Sequence, residues 1–115
     1  MALDGSIAEY LKTACTGEQA AVTSRTLEAL FHIRGPDLRR AVNRLRGEGV
    51  PICSFDSGYY YAETEDELQR TVRQLRSRIR KIARAERGLT KALSELFGTS
   101  EQISLDTEIT GGDAC

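Results

Sequence analysis

The chain has 115 residues, of which 40% are hydrophobic and 29% are charged, and its net charge is −1. This is ordinary globular composition, and a chain of this length forms one domain or one small domain with an extension. No apolar run is long enough to span a bilayer, and the N-terminus lacks the pattern of a secretion signal. The three cysteines are odd in number and far apart, so they predict neither a disulfide framework nor a metal site and favour a cytoplasmic location.

The small net charge conceals a strong segregation of charge along the chain. Residues 25–46 sum to +4 and residues 68–91 to +8, whereas residues 47–67 sum to −6. Two basic segments between acidic ones predict local cationic surfaces that attract a polyanion. Because the chain as a whole is almost neutral, we expect such binding to be confined to these surfaces.

The first predicted helix spans residues 6–15. Ser6 and Glu9 have the spacing of a capping box at its start. Its apolar face, at helical spacing, consists of Ile7, Tyr10, Leu11 and Ala14. Residues 20–22 are then either a small strand or an extended entry into the next helix.

Two further short helices follow, separated by a turn. Thr23 or Ser24 caps the second helix. Its apolar face consists of Leu27, Leu30 and Phe31. Gly35 is predicted to end this helix by supplying a positive φ, and Pro36 suits the first position of the third helix. The buried positions of the third helix are Leu38, Ala41, Val42 and Leu45.

Two short strands are predicted after the third helix. Residues 50–55 and 59–62 are rich in apolar, β-branched and aromatic side chains, and the turn residues 56–58 join them into a hairpin. Pro51 cannot donate a backbone hydrogen bond, which confines the first strand to a sheet edge or to an early strand position.

A long helix is predicted over residues 65–97, with Thr64 and Glu67 as its capping box. Apolar residues recur along it at spacings of four and three, with Glu86 in the one gap, which is a heptad pattern. After it, residues 98–115 are polar, acidic and rich in Gly and Thr, and are predicted to be a flexible tail that offers a surface for a protein partner.

The order of these elements is that of a winged helix-turn-helix. Residues 22–62 resemble the DNA-binding domain of biotin-repressor-type winged-helix proteins, most clearly in the stretch LRRAVNRLRGEGVPICSFDSGYYYA. The whole arrangement, with a basic heptad helix appended, also resembles small uncharacterised prophage proteins. The predicted fold is therefore mainly α with a small β-hairpin: a winged-helix domain over 1–63, an oligomerisation helix over 64–97 and the tail over 98–115.

The resemblance implies that residues 36–46 enter the major groove of DNA. The candidate base and phosphate contacts are then Arg39, Arg40, Asn43 and Arg44. Arg presents a fork of donors that matches guanine and Asn a pair of groups that matches adenine. Arg25 and Arg34, near the turn, are candidate phosphate contacts. The hairpin tip departs from the family pattern, because it has no Lys or Arg and Asp56 repels phosphate.

The heptad pattern predicts an oligomer interface. Its candidate residues are Leu68, Val72, Leu75, Ile79, Ile82, Glu86, Leu89 and Leu93. A helix of this length cannot bury its own apolar stripe, which favours pairing with a second copy. The alternatives are that it packs along its own N-terminal domain, or that it is a calmodulin-type or membrane-surface helix.

The position of Glu86 indicates how two such helices pair. A parallel dimer sets Glu86 against its own copy, and two buried carboxylates in contact are costly. An antiparallel pairing aligns the whole stripe, with Ile79 near Ile82 of the partner subunit. Glu86 then lies within reach of an arginine, Arg76 or Arg78. We therefore predict an antiparallel dimer, or a higher assembly that contains this pair.

No constellation of catalytic residues is present, and His32, the single histidine, is interpreted as a structural or surface residue. The sequence therefore predicts a protein without enzymatic activity or cofactor. Its predicted function is sequence-specific binding of double-stranded DNA by a small bacterial or phage transcriptional regulator that acts as a dimer. The alternatives are an assembly factor for phage DNA packaging or replication, and an adaptor in which the winged helix contacts another protein.

Overall fold

The computed structural model describes residues 2–56 and 58–98. Its helices are α1 (Ala2–Ala14), α2 (Ser24–Phe31), α3 (Gly35–Gly47) and α4 (Glu65–Phe97), and a single 3-10 turn spans Glu18–Ala20. Its strands are β1 (Val22–Thr23), β2 (Ile52–Phe55) and β3 (Gly58–Tyr61). The described residues fall into two units, 2–71 and 72–98. The protein is thus mainly helical, with one small antiparallel sheet and a long C-terminal helix, as the sequence predicts at this level.

Helix α1 begins four residues before its predicted start, at Ala2. The predicted capping box of Ser6 and Glu9 is therefore wrong, since both residues lie inside the helix. The apolar stripe explains the earlier start, because Leu3 extends the buried face of Ile7 and Leu11 by one turn and packs on the core.

The core of the first unit lies where α1, α2 and α3 meet the sheet. Its fully buried side chains include Ile7, Leu11, Leu27, Leu38, Ala41, Val42, Leu45 and Ile52. All four predicted buried positions of α3 are confirmed. Burying a side chain of the size of Leu or Ile stabilises the fold by about 1.5–3 kcal/mol. Of the predicted apolar face of α2, Leu27 is buried and Leu30 is 49% exposed.

The turn between α2 and α3 differs from its prediction. Thr23 caps α2, and its hydroxyl accepts a hydrogen bond from the backbone N–H of Thr26 at 3.1 Å. The residue with left-handed backbone at the end of α2 is His32, with φ 54°, rather than Gly35. Gly35 instead begins α3, where a Cβ would lie 3.3 Å from the carboxylate of Glu28. A Cβ at this position would be in tight contact with a flexible side chain, and Gly35 is not among the residues with positive φ.

The sheet has the order β1-β3-β2, and both pairings are antiparallel. Pro51 directly precedes the edge strand β2, as predicted. Of residues 20–22, for which the sequence left a strand or an extended entry open, Ala20 ends the 3-10 turn and Val22 begins the third strand, β1. Gly58 faces it so closely that a Cβ would lie 2.6 Å from the carbonyl oxygen of Val22. Ser57, in the predicted turn, lies outside the described residues.

The start of α4 covers the other side of the sheet. Cys53 and Tyr60 are paired across β2 and β3, and both are buried. The thiol of Cys53 lies 3.6 Å from the carbonyl oxygen of Glu67. Burial is the main cause that raises the pKa of Tyr60 to about 12, and the neighbouring Cys53 contributes to the rise. This second small core joins the first two turns of α4 to the rest of the unit.

The predicted bounds of α4 and its capping box are confirmed. The N–H of Thr64 donates to Glu67 Oε1 and the N–H of Glu67 donates to Thr64 Oγ1, each at 3.2 Å. The predicted tail falls almost wholly outside the described residues, which end at Gly98.

Candidate nucleic-acid interface

The surface of α3 that faces away from the core carries the predicted contact residues. Because Leu38, Ala41, Val42 and Leu45 point into the core, helical geometry turns the intervening polar side chains outward. The exposed residues of this surface are Arg39, Arg40, Asn43 and Arg44. Of the six residues predicted to contact DNA, the structure thus brings four together on one face of one helix.

Arg44 is held by an acid from α1. Its guanidinium donates from Nε to Asp4 Oδ2 and from Nη2 to Asp4 Oδ1, both at 2.9 Å. These hydrogen bonds are the main cause that holds the pKa of Asp4 below its ordinary value. Asp4 and Arg44 are 40 residues apart, so no local pattern in the sequence indicates the pair. One cation of the candidate surface is therefore partly neutralised and fixed in orientation.

Arg40 pairs within its own helix. Its Nη2 lies 3.0 Å from Asp37 Oδ1, one turn earlier, and about half of each side chain is exposed. An exposed ion pair of this kind contributes at most about 1 kcal/mol, and a phosphate or a base edge can replace the carboxylate. Arg40 therefore remains available to a ligand.

The remaining predicted cations have no acidic partner in the part of the chain that the structure describes. Arg39 lies one turn from Asn43 on the exposed face of α3, and Arg34 is the N-cap residue of the same helix. Arg25, on α2, is also exposed. These side chains can turn toward a polyanion without breaking an ion pair.

Arg46 belongs to the same basic segment but has a different role. Its Nε donates to the carbonyl oxygen of Ile52 at 2.9 Å and its Nη2 donates to Ser54 Oγ at 2.7 Å. These two hydrogen bonds link the end of α3 to strand β2.

The hairpin tip offers an apolar and acidic surface. Phe55 is 44% exposed, and the adjacent Asp56 is exposed with a left-handed backbone, φ 54°. Neither residue attracts phosphate, in agreement with the departure noted in the sequence.

The second unit is a continuous helical segment with two different faces. The apolar stripe is largely open to solvent, with Ile79 64% and Leu89 73% exposed. Glu86 lies in this stripe and accepts a hydrogen bond from the hydroxyl of Thr90 at 3.1 Å. The opposite face is dense in Arg and Lys.

Other reactive groups form no site within residues 2–56 and 58–98. Cys15 and Cys53 are buried as free thiols, and burial raises the pKa of Cys15. His32 is exposed at the end of α2. In these same ranges, no group of His, Cys, Asp and Glu is arranged to hold a metal ion, and no helix has the length and apolar character that a membrane crossing requires.

A comparison of the chain with protein-family models, with curated proteins and with solved structures finds no match. The candidate interface is therefore defined by its own geometry and charge.

Proposed function

We propose that residues 2–71 are a winged helix-turn-helix domain that binds double-stranded DNA sequence-specifically, with α3 in the major groove. The observation that carries the proposal is the two-sided character of α3, whose buried apolar face fixes a continuous exposed face of Arg39, Arg40, Asn43 and Arg44. The element order also supports it, since a helix pair followed by a hairpin is the arrangement of winged-helix DNA-binding domains.

The chemistry of this face suits recognition of bases. Asn43 presents both a donor and an acceptor, which match the edge of adenine in the major groove. Arg39 and Arg40 present guanidinium forks, which match guanine or a phosphate. Arg25 and Arg34 are assigned to the phosphate backbone, where they position the domain without reading sequence.

Regulation of transcription by a dimer is the use that we assign to this binding. The open apolar stripe of α4 is assigned to a second copy of the chain in antiparallel orientation. In that pairing Glu86 lies beside Leu75 of the partner subunit and within reach of an arginine, Arg76 or Arg78. The carboxylate of Glu86 then meets a cation, whereas in a parallel dimer it would meet the Glu86 carboxylate of the other copy. Two DNA-binding domains in one particle then bind two half-sites.

One observation favours a second function, that of a protein-interaction adaptor. The hairpin tip exposes Phe55 beside Asp56, whereas a DNA-contacting wing is expected to carry cations. Aromatic side chains, Phe included, are enriched where proteins contact one another.

Fluorescence anisotropy on a duplex of mixed sequence tests the proposal. We expect the wild-type chain to bind at low salt, and the Arg39→Ala/Asn43→Ala variant to bind several-fold more weakly, because the variant lacks a cation of α3 that can contact the phosphates of any duplex. Lys12→Ala removes an exposed cation of α1 and serves as the control, with little effect expected. Equal affinity of the double variant and the control contradicts the assignment of α3, and absence of binding at low salt favours the adaptor.

A further inference from the structure

We infer that the cationic face of α4 is a second DNA-binding surface, which contacts the phosphate backbone without reading sequence. The cationic face is defined by Arg73, Arg80, Lys81, Arg84, Arg87 and Lys91. The inference rests on the proposed function for its choice of DNA as the ligand. It gives the second unit a role of its own, binding to the phosphate backbone, that is separate from the role proposed for α3.

The cationic face lies on the side of the helix away from the apolar stripe. At 100° per residue, its six side chains centre about 160° from the stripe that contains Ile79 and Ile82. All six are exposed. A ligand on this face and a second copy of α4 on the apolar stripe therefore do not compete for the same surface.

Most charges of this face have no neighbouring acid to neutralise them. In residues 72–98 the acids are Glu86, which lies in the apolar stripe, and Glu95, which approaches Lys91 at 4.0 Å. The five arginine and lysine residues from Arg73 to Arg87 on this face form no ion pair within the described residues. A face that serves only solubility usually mixes both signs of charge.

Like charges also recur at helical contact distance along this face. Arg80 and Arg84 are four residues apart, Arg84 and Arg87 three, and Arg87 and Lys91 four. Pairs of like charge at these spacings repel and weaken an isolated helix. A polyanion that binds along the face removes this repulsion, which favours binding beyond the direct contacts.

The density of cations along the helix suits a nucleic-acid strand. The segment from Arg73 to Lys91 is about 27 Å long. The six cations of this face fall at one per roughly 4.5 Å along the helix, a little wider than the spacing of about 3.4 Å between phosphates of one DNA strand along the duplex axis. Most of these cations are arginine, whose planar donors bind phosphate oxygens in pairs.

An anionic membrane is the other polyanionic surface to consider, and the arrangement favours DNA. A helix that lies in a membrane interface buries its apolar face in the lipid and keeps its cations on the opposite, polar face. On α4 the apolar stripe is assigned to a second copy of the chain, so a membrane and the partner subunit would compete for the stripe, whereas DNA on the cationic face leaves it free.

The test is the salt dependence of DNA binding by the full chain and by the variant Arg80→Gln/Arg84→Gln/Arg87→Gln. We expect the slope of log affinity against log salt to fall by roughly two to three in this variant, since each phosphate contact contributes about 0.9. The affinity for a duplex of mixed sequence at low salt is expected to fall at least roughly tenfold, with the sequence preference unchanged. The matched control Arg80→Lys/Arg84→Lys/Arg87→Lys keeps the charge and is expected to keep the slope. Circular dichroism confirms that both variants remain helical.

The possible outcomes separate this inference from the proposed function. An unchanged slope in the glutamine variant overturns the cationic face, even if Arg39→Ala/Asn43→Ala weakens binding. Weaker binding by the glutamine variant, with no effect of Arg39→Ala/Asn43→Ala, supports the cationic face and contradicts the recognition helix. Tighter binding of the wild type to vesicles of equimolar phosphatidylcholine and phosphatidylserine than to DNA at equal phosphate concentration overturns the inference in favour of a membrane.

Discussion

At the scale of single residues, Glu67 is the side chain that fixes the beginning of α4. Its carboxylate accepts backbone hydrogen bonds from Glu63 at 2.7 Å, Glu18 at 3.0 Å and Thr64 at 3.2 Å. The bonds from Glu63 and Glu18 are the main causes that hold the pKa of Glu67 below its ordinary value of 4.5. The capping box was visible in the sequence, but the link to Glu18, 49 residues away, was not.

We predict that Glu67→Gln destabilises the protein by about 1–3 kcal/mol, because the amide nitrogen cannot accept and leaves a partly buried backbone N–H without a partner. Urea unfolding at neutral pH measures this effect. Glu65→Gln, which changes an exposed acid of the same helical turn, is the control and is expected to shift stability by less than about 0.5 kcal/mol. Equal stability of the two variants would contradict the role of Glu67.

The lowered pKa of Glu67 also predicts a dependence on pH. A carboxylate with a depressed pKa contributes its full stability above the pKa of the unfolded chain and loses it as pH falls through the lower pKa of the folded protein. We therefore expect the stability difference between wild type and Glu67→Gln to shrink below pH 4.5, the ordinary value for this group. Unfolding curves at a series of acidic pH values measure the difference, and a constant difference would contradict this explanation.

Asp4 is predicted to restrain DNA binding. Its carboxylate holds Arg44 in a two-bond pair and places a negative charge beside the candidate interface. Asp4→Asn is expected to raise the affinity for duplex DNA several-fold, because it removes a charge that repels phosphate and releases the guanidinium. Anisotropy titration measures the change, with Glu9→Gln, an exposed acid of the same helix, as the charge-matched control. An affinity below that of the control would show instead that Asp4 orients Arg44 for binding.

At the scale of elements, local patterns predicted the helices that have strong periodicity and clear boundaries. Helix α4 and the buried face of α3 follow from apolar spacing, and the edge position of β2 is one of the two positions that Pro51 allowed. The errors concern features that tertiary contacts decide. The start of α1 depends on Leu3 reaching the core, and the left-handed residue of the turn is His32, the C-cap of α2, rather than Gly35.

For the candidate interface too, local periodicity predicted which residues share a face, and tertiary contacts decided what the sequence could not show. Its four residues on α3 follow from helical periodicity, which fixes the exposed side once the apolar side is known. The partners of those residues do not follow, because Asp4 approaches Arg44 only after the chain folds. The roles of the residues toward DNA, and of the apolar stripe of α4 toward a second copy, stay predictions.

The pairing of α4 gives a prediction at the same scale. In an antiparallel dimer Ile79 meets Ile82 of the partner subunit, so mixing Ile79→Cys and Ile82→Cys proteins, each with Cys115→Ser, is expected to give a disulfide between the two variants. Glu86→Cys in the same background is expected to form little disulfide with its own copy. Non-reducing electrophoresis measures both, with circular dichroism as the check on folding. High-yield crosslinking of Glu86→Cys would contradict the antiparallel orientation.

At the scale of the whole molecule, a nearly neutral chain carries two separate concentrations of positive charge. One is the exposed face of α3 in the first unit, where Asn43 adds the capacity to read a base. The other is the cationic face of α4, which has charge but no means of reading sequence. The proposed function and the further inference together assign specificity to the first unit and general attraction to DNA to the second.

Selection of binding sites from a pool of random duplexes tests this account most directly. The wild-type chain is expected to enrich a defined sequence, and Asn43→Ala is expected to lose preference at one base-pair position while it still binds DNA. The variant Arg80→Gln/Arg84→Gln/Arg87→Gln is expected to enrich the same sequence as the wild type. Failure of the wild-type chain to enrich any sequence, or an identical sequence enriched by Asn43→Ala, would contradict the assignment of α3 as the recognition helix.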